Sequence, residues 1–425
     1  MLSAGSAALY VARWAANEEA PHELAPSAGW SRTIFRACPP AVLRLAFLFP
    51  RLAALVAWVL APHLLAEEIT DGNVNFSYRV TGRAGRSVFI KQAMAFVKWQ
   101  PQMPLEAERM LREVSYFDVM RDKLGETLAR RFLPEIYHFD QAESILIMEF
   151  LDTYSLLFNQ LFDTGALSDA AAAALGEYLG HAHSATLGRE AAAGSGCERA
   201  HQFWNPSMRK IQLEHVYTIC FERSAKGARL AADKAFMAEV DYLKAKYLGY
   251  SHDALDQYVL CHGDFHPGSV MVDPTREEGI KVIDPEFTVY GPPGLDAGSL
   301  LSGFVLAFLY RELRARGGGA ALLAAIDGLW RAYASRLSAE GMSDAHLRRV
   351  EEDTVGFCTI EVLRTSLGFA GARDPHRRVA EPDGLERYQL AALQVVSRCL
   401  MGRRGAKGGM TLLLSELQRV DLSKM

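Results

Sequence analysis

Two short segments of this 425-residue chain carry residue types whose spacing could do chemistry. In Leu260–Val272 (LCHGDFHPGSVMV) an apolar run ends in His262-Gly263-Asp264, and a second apolar run begins about six residues after the aspartate. Glycine allows a tight backbone path there, so Asp264 projects from a constrained loop. A carboxylate so placed accepts the proton of a substrate hydroxyl as that hydroxyl attacks phosphorus. In Lys281–Phe287 (KVIDPEF), 20 positions on from Asp264 to Asp284, an apolar run delivers Asp284 and Glu286. Two positions apart on an extended chain, they share one side. Such a pair suits a hard, oxygen-ligated cation such as Mg²⁺. Singly, an Asp after Gly is a turn residue and an isolated DPE a solvated bend. Their combination, each after an apolar run and both after a strand-rich region, points to phosphoryl transfer.

The elements that must position these loops follow from the pattern upstream and around them. From about Leu65 the chain reads as strands: Glu67–Thr70, Asn73–Val80 and Val88–Phe96, with the turn-rich Thr81–Ser87 before the third. A helix is expected from Pro104 to about Leu124, then two more strands, LPEIYHFD and Ser144–Leu151. After Leu151 the pattern is mostly helical, with helices at Ala170–Leu187, Met237–Leu248 and Ala297–Arg316 and a flexible break at Gly317–Gly319. Short strands are expected at Val259–Leu260, Ser269–Val272 and Ile280–Ile283. The expectation is an α+β, bilobal chain. Residues 67–151 form a small antiparallel sheet lobe with one helix, residues 152–425 a larger helical lobe carrying both loops, and residues 1–66 an Ala/Leu-rich extension.

Composition narrows the class. Half the residues are hydrophobic and 23% charged, which supplies a large core and excludes a disordered tail. Lys+Arg of 46 against Asp+Glu of 50 leaves −4, no electrostatic footprint for nucleic acid. Six cysteines lie far apart without a C-x-x-C pair, which disfavours a disulfide scaffold or structural zinc and suits a reducing, cytoplasmic setting. Leu45–Pro62 carries Arg51 as its only charge, but Pro50 and Arg51 interrupt it and it falls short of the roughly 20 residues a spanning helix needs. It reads first as a helix packed on the domain behind it. Membrane tethering and a transit peptide stay open, although Glu18, Glu19 and Glu23 are wrong for an acid-poor presequence.

This combination resembles the kinase-like phosphotransferases related to aminoglycoside phosphotransferases and choline kinases, whose catalytic loop reads HGDxHxxN and whose metal loop begins with Asp. HGDFHPGS at 262–269, VIDPEFTVYGPPGLDAG at 282–298, DGNVNFSYRV at 71–80, IKQAM at 90–94, YHFD at 137–140 and MEFL at 148–151 are similar to the S-methyl-5-thioribose kinase family in particular. Ser269 in place of the broader superfamily's Asn, and Glu286 after Asp-Pro, are features of that family. The similarity runs from about Glu67 to the end of the chain.

The resemblance implies a protein-kinase-like fold and a set of roles. Asp71, Gly72 and Asn73 would form the loop over the ATP phosphates, and Lys91 would reach the α/β-phosphates. Glu113 would orient Lys91, with Glu106 and Glu108 on the same helix as rivals. Met148, Glu149 and Leu151 would belong to the hinge that pairs with adenine. Asp264 would be the base, and Asp284 and Glu286 the Mg²⁺ ligands. His266 would touch the sugar or hold the loop, His262 would brace the loop, and Asp296 would cap the following helix and brace the loop too. The family's twin-arginine pair corresponds here to Arg364 followed by Thr365, so one guanidinium is missing from the expected sugar site, and Trp99 is displaced from the family's tryptophan loop. The implied reaction is ATP-dependent phosphorylation of the 1-hydroxyl of 5-methylthioribose, with no nucleic-acid partner and a homodimer as the reasonable assembly. The rivals are a same-fold kinase for another sugar, amino alcohol or aminoglycoside, and a nucleotide-binding pseudokinase acting as an interaction module. The latter is disfavoured by the presence of Lys91, Asp264, Asp284 and Glu286 together.

Overall fold

Alternation of buried and half-exposed residues in the strand-rich region produces a five-stranded antiparallel sheet in the computed structural model, which describes residues 3–8, 10, 65–70, 74–82, 85–188, 201–249 and 257–422. The chain runs through β1 (Leu65–Ile69), β2 (Phe76–Thr81) and β3 (Ser87–Gln92), then a small hairpin of β4 (Phe96–Val97) and β5 (Gln100–Pro104). It continues through α1 (Arg109–Phe132), β6 (Ile136–Asp140) and β7 (Ile145–Glu149), giving the sheet order β1-β2-β3-β7-β6. Tyr78, Val80, Val88, Ile90, Ile145 and Ile147 share one face, and Ala7 and Ala8 of a helical turn at residues 4–8 pack into them. Tyr10 Oη adds a hydrogen bond to Asp140 at 2.7 Å. Ala93, Leu146 and Met148 pack with Met110 and Val114 from the first turns of α1 as a second cluster. Burying both faces is why these strands read as apolar runs. The apolar run Leu45–Pro62 lies outside the described residues, and no described helix is long and apolar enough to cross a membrane.

Two boundaries differ from expectation. The third strand stops at Gln92 instead of Phe96, and just beyond its end Arg109, fully buried, donates from Nη1 to the carbonyl of Met94 at 2.8 Å. The helix expected over Pro104–Leu124 begins five residues later, since Pro104 ends β5 opposite Phe96. It then runs on to Phe132 past Gly125, whose φ of 73° and ψ of 165° break the helical path just beyond the expected stop.

The remaining chain is mostly helical. β8 (Ser155–Leu156) leads into α2 (Leu157–Thr164) and α3 (Asp169–Thr186), and α3 is capped by Ser168, whose Oγ accepts the Ala171 amide. Next come α4 (Pro206–Tyr217), α5 (Ile219–Arg223), α6 (Ala225–Ala231) and α7 (Lys234–Leu248). β9 (Val259–Cys261), β10 (Val270–Val272), β11 (Ile280–Val282) and β12 (Val289–Gly291) frame the two loops singled out above. α8 (Gly294–Arg314), α9 (Ala320–Ala339), α10 (Asp344–Ser366), α11 (Pro382–Gly402) and α12 (Gly409–Gln418) complete the described chain. α3 packs on α9 and α8 on α10, and α8 is buried from Gly294 to Leu309. β11, β10 and β8 form one small sheet and β12 pairs with β9. β8 and β12, at two and three residues, are too short to show a period and went unforeseen. The described residues divide into two compact units, one of residues up to Val114 with Pro134–Asp152, the other of Ser115–Leu133 with the chain from Thr153 on.

Candidate active site

In the first unit the sheet holds a buried ion pair. Lys91 sits in β3 between Ser77 and Leu146, and its Nζ donates to Glu113 Oε2 at 2.7 Å, the two side chains 6% and 0% exposed. Among the three glutamates that the sequence offered, packing of α1 turns Glu113 to the lysine. Two charges removed from water are stabilised by such pairing; deleting one partner of a buried pair typically costs roughly 3–5 kcal/mol. Asp71, Gly72 and Asn73 lie outside the described residues. Met148 is buried in β7. The Glu149 amide donates to the Glu135 carbonyl at 2.8 Å while its carboxylate accepts the Glu135 amide at 3.1 Å, so that amide is spent on the fold. The Leu151 amide, two residues on, makes no hydrogen bond among the described residues.

In the second unit β9 and β10 hold the HGD loop. Gly263 adopts φ 88°, and a Cβ there would stand 2.0 Å from the Phe287 carbonyl oxygen, so both its backbone angle and its neighbour require glycine. The amides of His262 and Gly263 donate to the two oxygens of Asp296 at 2.6 and 2.9 Å. Asp296 is braced in turn by His183 Nε2 at 3.4 Å, and His183 Nδ1 meets Tyr333 Oη at 2.7 Å. Asp296 therefore braces the loop as expected but does not cap α8, whose start has no side-chain cap; its oxygens are taken by the loop amides. Gln212, which the sequence did not single out, donates to the Gly263 carbonyl at 2.9 Å. His262 Nε2 bonds the Ile283 carbonyl at 2.8 Å, tying the HGD loop to the DPE loop.

Asp264 is the group this framework presents. Ser269 Oγ donates to its backbone carbonyl at 2.9 Å, which spends Ser269 on loop geometry. His266 Nδ1 accepts the Gly268 amide at 2.8 Å, so the ring carries its proton on Nε2, which faces Asp264 Oδ2 at 3.5 Å. Asp264 Oδ1 is buried and has no hydrogen-bond partner among the described residues. Burial alone would raise the Asp264 pKa, but His266 and the guanidiniums of Arg373 and Arg364 outweigh it and hold the carboxyl far below the usual carboxylate range. Burial and Arg373 hold His266 below its usual pKa against the pull of Asp264.

The DPE loop follows β11, whose Lys281 Nζ caps the end of α1 through the carbonyls of Arg130 and Leu133 at 2.7 and 2.8 Å. Asp284 takes φ 65°, a left-handed conformation that costs a non-glycine residue about 1–2 kcal/mol. Asp284 and Glu286 offer carboxylate oxygens within 4.8 Å of one another, a hard oxygen donor set that fits a divalent cation. Asn205, at the head of α4 and fully buried, donates from Nδ2 to the Glu286 carbonyl at 2.8 Å; an Asn before Pro206 was the only signal of it. Further along, Arg364 Nε donates to Glu361 Oε2 at 2.8 Å, and Arg373 Nη1 lies 3.8 Å from the same oxygen. Thr365, beside Arg364, points into the protein and is buried. Arg373, nine residues on from Arg364, went unforeseen because nothing in the sequence says that the chain folds back there.

Known proteins extend this picture. The family model described as "Phosphotransferase enzyme family" matches residues 66–335, well over half the chain. The methylthioribose kinase of Pectobacterium atrosepticum is 31% identical over 340 residues, 73% of this chain and 81% of its own. That of Enterobacter sp. is 29% identical over 339 residues with the same coverages, and that of Geobacillus thermodenitrificans 28% over 372 residues, 80% of this chain and 86% of its own. A solved choline kinase from Cryptosporidium parvum aligns with 84% of this chain and 94% of its own at 16% identity and a TM-score of 0.47. The protein has the kinase-like α+β fold of a small antiparallel sheet and a mostly helical remainder, and it is a small-molecule kinase, a phosphotransferase acting on an alcohol group. The chain belongs to the phosphotransferase enzyme family and, within it, to the family of the methylthioribose kinases.

Proposed function

We propose that this protein transfers the γ-phosphoryl group of ATP to a hydroxyl of a neutral sugar, with the 1-hydroxyl of 5-methylthioribose as the acceptor. One observation carries the reading: Asp264 Oδ1, buried and without a partner among the described residues, on a carboxylate held ionised by its surroundings. A buried acceptor oxygen without a donor is costly, and an incoming hydroxyl supplies that donor. Support for the sugar comes from relatives named methylthioribose kinase over most of their length.

In this reading Asp264 orients the acceptor hydroxyl and takes its proton late. So weak a base suits a loose transition state in which little nucleophile activation is needed and positioning dominates. His266 holds the Asp264 carboxylate through Nε2–H. Lys91, held by Glu113, binds the α/β-phosphates, and Asp71, Gly72 and Asn73 contribute to binding the phosphates. The hinge Met148–Leu151 receives adenine, with the Leu151 N–H, unbonded among the described residues, as its donor. Asp284 and Glu286 hold Mg²⁺, which when bound neutralises charge on the triphosphate. Residues 67–151 form the nucleotide lobe and residues 152–425 the lobe of acceptor and chemistry. Four buried free thiols, Cys220, Cys261, Cys358 and Cys399, support a reducing, cytoplasmic setting.

The test is ATP consumption by the purified chain with Mg²⁺ and an acceptor panel headed by 5-methylthioribose, with Asp264→Ala in parallel. Turnover of methylthioribose that vanishes in the variant is the expected result. Turnover of a different acceptor alone would overturn the substrate while keeping the chemistry. Bound ATP with no turnover on any acceptor would instead favour an interaction module.

A further inference from the structure

Arg364 and Arg373 leave unusual donor capacity in a confined place. Arg364 ends α10, where the amide of Gly368 returns to the Thr365 carbonyl at 3.1 Å and that of Phe369 to the Arg364 carbonyl at 3.0 Å, with Gly368 at φ 88°. This reversal, held by Asp374 Oδ1 on the Ala370 amide at 2.6 Å, brings the short helical turn Gly371–Arg373 back to the end of α10. One carboxylate oxygen, Glu361 Oε2, then lies 2.8 Å from Arg364 Nε and 3.8 Å from Arg373 Nη1.

A purely structural cluster would spend its donors. Arg364 spends only Nε on a side-chain partner, and Arg373 makes no side-chain hydrogen bond among the described residues, though their side chains are only 8% and 14% exposed. A guanidinium carries five N–H donors, and leaving them unmet where water has little access is unfavourable. Both cations also act electrostatically on the carboxylate of Asp264, the proposed base. Two guanidiniums are set against the carboxylates of Glu361, Asp264 and Asp374, so they already have counter-charge. With counter-charge already supplied, the ligand that satisfies the remaining donors is a neutral polyhydroxylated one, whose oxygens accept; a cation would face two like charges and offer few acceptors.

We propose that Arg373 is a second acceptor-binding residue, closing with Arg364 on the hydroxyls of the sugar and selecting neutral over cationic acceptors. This rests on the sugar-kinase reading above. The experiment measures steady-state kinetics of the full chain, wild type, Arg373→Ala and Arg373→Lys, varying 5-methylthioribose and ATP separately, with choline as the cationic probe and a thermal melt of each protein.

Arg373→Ala is expected to raise KM for methylthioribose about ten- to a hundredfold, the worth of charge-assisted hydrogen bonds, with KM for ATP within about twofold. Arg373→Lys should recover part of the loss, since an ammonium keeps the charge without the fork, and the preference for methylthioribose over choline should narrow in Arg373→Ala. An unchanged acceptor KM in a natively melting Arg373→Ala protein overturns the proposal and leaves the sugar-kinase reading intact. A fall in kcat with both KM values unchanged overturns it likewise. Should Arg373→Ala melt early, a natively melting Arg373→Lys protein with unchanged acceptor KM overturns it. Wild type inactive on methylthioribose and every other neutral sugar overturns the underlying reading as well.

Discussion

The chemistry assigned to Asp264 depends on the imbalance between its two oxygens: Oδ2 faces His266 while Oδ1 waits for a donor. Asp264→Asn keeps the shape and removes the acceptor charge. It is expected to lower kcat by a factor of about 10²–10⁴ with ATP binding retained, checked by single-turnover phosphorylation and by nucleotide titration. The neighbouring His266 gives a pH prediction. Its pKa is lowered in the folded chain, so between that value and the ordinary one of about 6.5 the unfolded state binds more protons and stability rises with pH. The contribution is complete above about pH 6.5 and is lost as pH falls below it. Urea unfolding at neutral and mildly acidic pH should show a larger loss in wild type than in His266→Gln; equal losses would contradict this. In the other unit, Glu113→Gln leaves Lys91 buried beside a neutral amide. A raised KM for ATP and a loss of stability are expected, read by kinetics and denaturation.

At the level of elements, the HGD loop is a strand end held from three sides: by Asp296 of α8 on its amides, by Gln212 of α4 on its carbonyl, and by His262 on the carbonyl of Ile283. Gly263 permits this convergence. Gly263→Ala puts a methyl group against the Phe287 carbonyl at a φ that side chains rarely adopt, so either the HGD loop or the DPE loop must move. Phosphorylation is expected to fall at least tenfold, because misplacement of about 1 Å costs that much or more, while nucleotide binding through Lys91 persists. Retained turnover in that variant would show that the loop tolerates the shift. The HGD and DPE loops were legible in the sequence because each is a contiguous motif after an apolar run. Their supports were not, since Gln212, Asn205 and His183 reach them from helices dozens of residues away.

For the whole molecule, the first described residues extend the sheet unit beyond its strands. Ala7, fully buried, and Ala8 fill the face formed by Tyr78, Val80, Val88 and Ile90. Ala7→Asp would bury a charge without a partner there. A loss of several kcal/mol is expected, or a partly unfolded sheet unit, seen as an early transition in thermal melts and as raised KM for ATP. A melt matching wild type would mean that this turn leaves the sheet in solution. The sequence had set residues 1–66 apart as an extension of unclear role, because small residues such as Ala7 carry no periodic signal strong enough to say which face they cover.

By itself the sequence determined the reaction class and offered the candidate groups for it. Asp264, the Asp284-Glu286 pair and Lys91 stand in short motifs whose chemistry depends on residue type and local spacing, and a few residues of context suffice to read those. It also determined that a strand-rich region precedes a helical one. Only the tertiary structure decided which of three glutamates meets Lys91, that Ser269 serves the loop backbone, that Asp296 braces the HGD loop without capping its helix, and that Arg373 joins Arg364 at Glu361. Each of those choices is a contact between residues distant in the chain or across a chain reversal. Such contacts arise from how whole faces bury against one another, and no local pattern encodes them.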